Sequence, residues 1–334
     1  MKLRITSLLL LLAGGMGAPV LAQGQDGPTV TGESGLFTLL DGWTLPRGEW
    51  SFGLYYNNWD RLVAPVPGFD PVAPLTDDWD YDWNRLSASV GWGATERLEF
   101  ALMLPWEMLR ADDNHHIGVV NGKQFANEID ASGIGNVRFG AKYRFWADEP
   151  AGRALAGNLF VELPTGDDDE GVVTGDTGWG LGLDWSMAPN WVSRVGFRDP
   201  GDADDFDVPE EIELGIGNVA RLNERFDWIT ELAATLYQGG DSSPDDAIDL
   251  TTGGRYWIGD AGRWAVNFGL RLELNQLSDT DEHCPIGGLA GLTFFPRRIF
   301  APAEPVPVAA PVAPPPVPEP APVAAPAPEP APVA

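Results

Sequence analysis

Charged residues planted at alternate positions of otherwise apolar segments are the first chemistry this sequence offers. In NVRFGAKYRFW, Arg138, Lys142 and Arg144 alternate with Val137, Phe139, Ala141, Tyr143 and Phe145. The same parity selects Arg85, Glu99, Glu162, Asp184, Arg194, Arg198, Glu213, Glu231, Arg255, Arg271 and Glu273. The signs in this set nearly balance, and neighbouring segments often differ in sign: Arg85 beside Glu99, then Arg138, then Glu162. Opposite charges on adjacent strands can pair into a ladder that satisfies otherwise desolvated groups. The same residues can instead line a conducting pore, since a wide barrel leaves interior space. The sequence alone leaves both readings standing.

Other reactive groupings are weaker. Acidic runs crowd three connections, with Asp77, Asp78, Asp80 and Asp82 in the first, Asp167, Asp168, Asp169 and Glu170 in another, and Asp202, Asp204, Asp205 and Asp207 in a third. Hard divalent cations bind such oxygens. GDDDEG lacks the spacing of a calcium loop, so these four residues are only weak metal candidates. Solvated loops that repel anions fit the pattern better. His115 and His116, beside Asp112 and Asp113, have the chemistry of acid/base groups, but no nucleophile motif accompanies them. His283 and Cys284 are equally sparse for a metal site. The expectation is a protein that is not an enzyme and carries no cofactor. A lone cysteine has no partner within the chain for a disulfide. With 49 Asp and Glu against 21 Lys and Arg, a net charge of −28 also disfavours nucleic acid, which needs a basic surface.

The elements that must position these charges are strands. Period-two alternation dominates from Glu49 to Pro296, and it sends successive side chains to opposite faces. In RWAVNFGLRLEL, Trp264, Val266, Phe268, Leu270, Leu272 and Leu274 form a wholly apolar face opposite Ala265, Asn267, Gly269, Arg271 and Glu273. TGWGLGLDWSM repeats the arrangement. About twelve segments follow the rule: 49–59, 82–94, 97–106, 134–146, 152–163, 177–187, 190–198, 210–221, 226–237, 248–258, 263–274 and 286–295. Most are about 10 residues or a little longer, the length a tilted strand needs to cross a bilayer. Short connections alternate with long ones at 60–81, 107–133, 164–176, 199–209, 238–247 and 275–285. Trp50, Trp106, Trp146, Trp179, Trp191, Trp228, Trp257 and Trp264 sit near segment ends, as interfacial aromatic girdles require. The fold class is therefore all-β, a transmembrane antiparallel up-and-down β-barrel of about twelve strands. Short turns are expected to face the periplasm.

The ends of the chain define the remaining regions. Lys2 and Arg4, the apolar run from Leu8 to Ala13 and the Val20-Leu21-Ala22 site read as a signal peptide over residues 1–22. Residues 23–48 read as an N-terminal periplasmic lead-in, 49–300 as the barrel, and 301–334 as a disordered periplasmic linker of Pro, Ala, Val and Glu. The expected location is the outer membrane. Expected partners are its lipid, the barrel-assembly machinery, and a periplasmic or cell-wall component that meets the tail.

Taken together, the signal peptide, SGLFTLLDGWTLPRGEWSFGLYYNNWDRL, GIGNVRFGAKYRFW, the ELPTGDD loop and the Pro/Ala/Glu linker resemble OmpA-family outer-membrane proteins. That resemblance implies a structural envelope component or a small diffusion pore, a porin in the broad sense. The chain ends within the linker, so no peptidoglycan-binding residues carry over. The alternative reading is a specific solute channel with a charge-lined lumen. An outer-membrane hydrolase and a soluble β-rich binding protein rank below it.

Overall fold

The computed structural model describes residues 27–62, 64–65, 80–111, 117–126, 128–166, 168, 170–187, 190–203, 206–241, 244–259, 263–275 and 285–296. The expected signal peptide and linker lie outside the described residues. Alternating sequence becomes strand after strand: β1 (Trp50–Leu62), β2 (Ala64–Pro65), β3 (Asp80–Gly93), β4 (Leu98–Ala111), β5 (Ile117–Val120), β6 (Lys123–Ala126), β7 (Ile129–Ile134) and β8 (Val137–Asp148). Then follow β9 (Arg153–Leu163), β10 (Gly178–Met187), β11 (Trp191–Asp199), β12 (Glu210–Asn223), β13 (Phe226–Gln238), β14 (Ala247–Ile258), β15 (Trp264–Glu273) and β16 (Ile286–Phe294).

Each barrel strand pairs antiparallel with its sequence neighbour, and the ring closes where β1 meets β16, with Phe52 opposite Phe294. Twelve strands make the wall, β7 extending β8 beyond a break at Gly135 and Asn136. Closure leaves no row of unpaired backbone groups for lipid to face. Short turns gather at one end and the long connections at the other. One sequence expectation changes here: β4 continues to Ala111, so Glu107 is a wall residue rather than a loop residue, and Trp106 is not at a strand end.

The outer face inverts the distribution of a soluble protein. Leu159, Leu181, Leu183 and Trp185 are about half exposed, while Glu99, Lys142, Asp184 and Arg255 are fully buried inside. An apolar exterior around a polar interior is the membrane-barrel solution. At β8 the register shifts between Arg144 and Trp146, which turns both Phe145 and Trp146 outward.

The interior is not empty. From Gly27 to Leu45, the stretch expected as a periplasmic lead-in runs inside the barrel, with Leu36, Phe37 and Leu45 fully buried and Leu39, Leu40 and Trp43 nearly so, and it emerges at Arg47 and Gly48. Phe37 and Leu36 pack with Tyr55, Val192, Val219, Ile229 and Leu289 of the wall. Gly215 and Gly217 of β12 leave room for Leu39 and Leu36, where a Cβ would collide with those side chains. We call residues 27–48 the strap.

Candidate functional site

The strap meets part of its backbone hydrogen bonding internally, as in Val30 N to Phe37 O at 2.9 Å, and the wall satisfies other groups. Glu231 of β13 accepts the amides of Phe37, Thr38 and Leu39 at 2.8, 3.0 and 3.1 Å, and the Thr38 hydroxyl at 2.8 Å. Glu99 of β4 accepts the Ser34 amide and hydroxyl, both at 2.7 Å, and the Leu45 amide at 2.8 Å. Cations serve the carbonyls. Lys142 donates to Ser34 O at 2.7 Å and lies 3.3 Å from Asp41 Oδ1. Arg255 donates to Leu36 O at 2.7 Å. These inward charges therefore hold the strap in the lumen.

Above the strap the inward charges pair with one another. Arg194 bridges Asp184 at 2.8 Å and Glu213 at 3.0 Å. Arg198 bridges Glu162 at 2.9 Å and Glu211 at 2.7 Å. Arg138 stands 3.7 Å from Glu162 and 3.9 Å from the strap residue Glu33, with its guanidinium over the Phe160 ring. Arg144 donates to Glu96 O at 2.7 Å, Arg271 to the Thr251 hydroxyl at 3.3 Å, and Glu273 is buried on β15. All fourteen charges selected by parity thus face the interior. Their partners differ in one place: Arg85 pairs with Glu107 at 2.6 Å, while Glu99 lies opposite Lys142 in register. Parity on the lengthened β4 would have added Glu107. In-phase positions likewise yield Glu211, Arg221 and Asp227, which the sequence reading passed over.

Six of the eight tryptophans expected at strand ends are exposed on the outer face, Trp106 within β4 rather than at its end. Trp50, Trp106, Trp146, Trp179, Trp228 and Trp264 point outward, each between 39% and 49% exposed. Trp191 is half-buried. Trp257 is a correction: it faces the lumen, where its indole donates to Asp227 Oδ2 at 2.6 Å and its ring packs with Leu45, Ala265 and Phe295. Asp227 is held in turn by Arg221 at 3.1 Å. Of the weak metal candidates, Asp168 and Glu170 are described and Asp167 and Asp169 are not. Among the described residues no three His, Cys, Asp or Glu come together as a metal site. His115, His116, His283 and Cys284 lie outside the described residues.

At the long-loop end the paired charges become a floor. Tyr81, Leu109, Ala111, Val120, Ile129, Ala131, Val172 and Val173 form an apolar cluster that Trp83 and Phe125 join. The cluster roofs the barrel mouth with the β5–β6 hairpin and the 170–175 segment, pinned by Asn121 Nδ2 donating to Gly171 O at 3.0 Å. Beneath it is a cavity of about 140 Å³, walled by Trp83, Val120, Val173, Phe206 and Tyr237. Arg85, Glu107, Glu162, Arg198 and Glu211 form its charged side. Such a vestibule presents apolar and aromatic surface on one side and fixed, paired charges on the other.

Three solved structures are similar to this chain to different degrees. The COG4313 outer membrane channel from Pseudomonas putida F1 is 14% identical, with 76% of this chain and 97% of that one covered at a TM-score of 0.52. The Ralstonia pickettii toluene transporter TbuX is 12% identical, covering 78% and 92% at 0.38. The P. putida toluene transporter TodX is 12% identical, covering 85% and 99% at 0.38. The first shows an outer-membrane barrel fold, in agreement with the exposed apolar belt and the closed twelve-stranded wall. No curated protein matches the chain. The OmpA-type resemblance is overturned, because strand alternation, an export signal and a proline-rich end are shared by unrelated barrels, and the sequence pattern is that of another family. Residues 14–198, more than half of the chain, match the family described as Putative MetA-pathway of phenol degradation, and the chain belongs to that family.

Proposed function

We propose that the protein is a selective outer-membrane channel for small aromatic solutes carrying a polar group, with the roofed vestibule as its binding site. The observation that carries this reading is the cavity of about 140 Å³ between an apolar, aromatic roof and a floor of paired charges. A cavity of about 150 Å³ suffices for benzene in a protein core. The ring of such a solute would lie against Trp83, Val120 and Val173, and a hydroxyl would reach the charges at Arg85 and Glu107. The family's description, which names a phenol pathway, supports the same solute class. An open diffusion pore fits less well, because the strap occupies the lumen beneath the vestibule.

Calorimetric titration of the purified protein with p-cresol and with glucose tests the proposal. Saturable binding of p-cresol, absent for glucose and lost when Val173→Trp fills the vestibule, is the expected result. Equal response to both solutes, or p-cresol binding indifferent to Val173→Trp, overturns it.

A further inference from the structure

Arg47 and Arg97 stand apart from the arginines of the lumen. Both are exposed at the short-turn rim, and neither has a side-chain partner among the described residues. Arg97 closes the turn between β3 and β4. Arg47 precedes β1 and is fixed beside that turn by the Gly48 amide, which donates to Gly93 O at 2.7 Å. The two share a shallow surface depression with Ala94, Thr95, Glu96 and Tyr143. A second depression also contains Arg97 and continues past Arg144 to Trp146 and Pro150, so Arg97 sits at the centre of one groove.

The level of this groove on the barrel gives it meaning. Trp92, Phe100, Tyr143, Phe145 and Trp146 are exposed on the adjoining outer wall, and Trp92 stacks on Phe100. Exposed aromatic belts mark the membrane–water boundary, the depth at which lipid phosphates lie. Glu96, Asp148 and Glu149 line the same depressions, and Asp148 Oδ1 accepts the Ala151 amide, but no ion pair ties any of them to Arg47 or Arg97 among the described residues. Two unpaired guanidiniums remain at phosphate depth on a chain of net charge −28. Guanidinium forks match phosphate oxygens bidentately.

We infer that this groove is a binding site for an anionic glycerophospholipid, with Arg47 and Arg97 on the phosphate and Tyr143 and Trp146 against the glycerol and upper acyl chains. Because short turns of outer-membrane barrels face the periplasm, the lipid belongs to the phospholipid leaflet. The site anchors the barrel vertically at its short-turn rim.

The test is native mass spectrometry of the full chain in detergent, titrated with phosphatidylglycerol. Arg97→Gln should weaken the first bound lipid about fivefold, and the Arg47→Gln/Arg97→Gln pair further still, by about fivefold for each charge removed near a lipid surface. Arg97→Lys should fall in between, since it keeps charge without the fork. Arg263→Gln, exposed on the same rim outside the groove, should bind as the wild type does. Heat-dependent gel mobility confirms that each variant is folded. Undiminished binding by the double variant overturns the proposal, as does an equal loss in Arg263→Gln, which would mean diffuse rim charge. If inorganic phosphate alone raises thermal stability as much as phosphatidylglycerol does, a free anion is the ligand and the lipid assignment fails.

Discussion

Glu231 Oε1 accepts the backbone amide of Phe37 at 2.8 Å although 194 positions separate the two residues in the chain. The same carboxylate gathers Thr38 and Leu39, so one side chain of β13 satisfies three successive amides of the strap. Removing it leaves those donors buried and unmade, at about 1 to 3 kcal/mol for each group. Glu231→Ala is therefore expected to loosen the strap without opening the wall, whose own ladder is untouched. In planar bilayers the variant should open more often than the wild type, and limited proteolysis should cut between residues 27 and 48. Unchanged gating and unchanged protection would mean that solute does not pass along the lumen by displacing the strap.

The lipid-facing wall makes a separate prediction. Leu181 is nearly half exposed on the outer face of β10, opposite Leu159 of β9 and Phe197 of β11. An arginine there meets hydrocarbon rather than the charged interior. Leu181→Arg should cost about 2 to 4 kcal/mol, measured by reversible urea unfolding in lipid vesicles. A cost below that of an ordinary surface substitution would place β10 with the opposite face to lipid.

Protonation should tighten the loop over the vestibule. Asp207, in the connection between β11 and β12, has its carboxyl raised above the ordinary Asp value of 3.8, first by a hydrogen bond with Asp202 and then by repulsion from Asp202, with smaller contributions from Asp241 and Glu210. The folded loop thus holds this proton more firmly than the unfolded chain does. Its contribution is fully present below 3.8 and is lost as pH rises through the elevated value. Amides of Phe206, Asp207 and Val208 should exchange more slowly below pH 3.8 than in neutral buffer, after correction for intrinsic rates. Asp207→Asn should abolish that difference, and a variant that keeps it would assign the effect to another group.

Strand alternation made the wall readable, because period two ties each residue to lipid or lumen without knowledge of its partner. The segment expected at 177–187 is β10 at Gly178–Met187, and its Asp184 faces inward as parity requires. Pairing partners were less legible. Arg85 was set beside Glu99, but the stagger of neighbouring strands brings it to Glu107, and stagger is fixed by turn geometry and barrel shear rather than by either strand alone. The strap was illegible for a stronger reason. Its apolar residues show no period, and its contacts to Glu231, Arg255 and Glu99 are all remote in sequence. The vestibule suffered likewise, since its roof brings Val120 and Ile129, from the stretch read as one long loop, against Val173 of the next.

Trp257 illustrates a conflict between two sequence rules, and it yields the sharpest stability contrast. Its position near the end of β14 suggested the interfacial girdle, but it shares parity with Arg255 and so must face the lumen. There it is almost fully buried, bonded to Asp227 and packed with Leu45 of the strap and Phe295. Trp264 is genuinely outward, in edge contact with Phe294 at 5.3 Å between ring centroids. Trp257→Ala should then cost about 3 to 5 kcal/mol, as large-to-small changes in packed interiors do. Trp264→Ala removes only an aromatic pair and some interfacial area, at about 1 kcal/mol. Urea unfolding in vesicles compares the two directly. Equal losses, or a larger one at Trp264, would return Trp257 to the girdle and unseat the packing of strap against wall at the short-turn end.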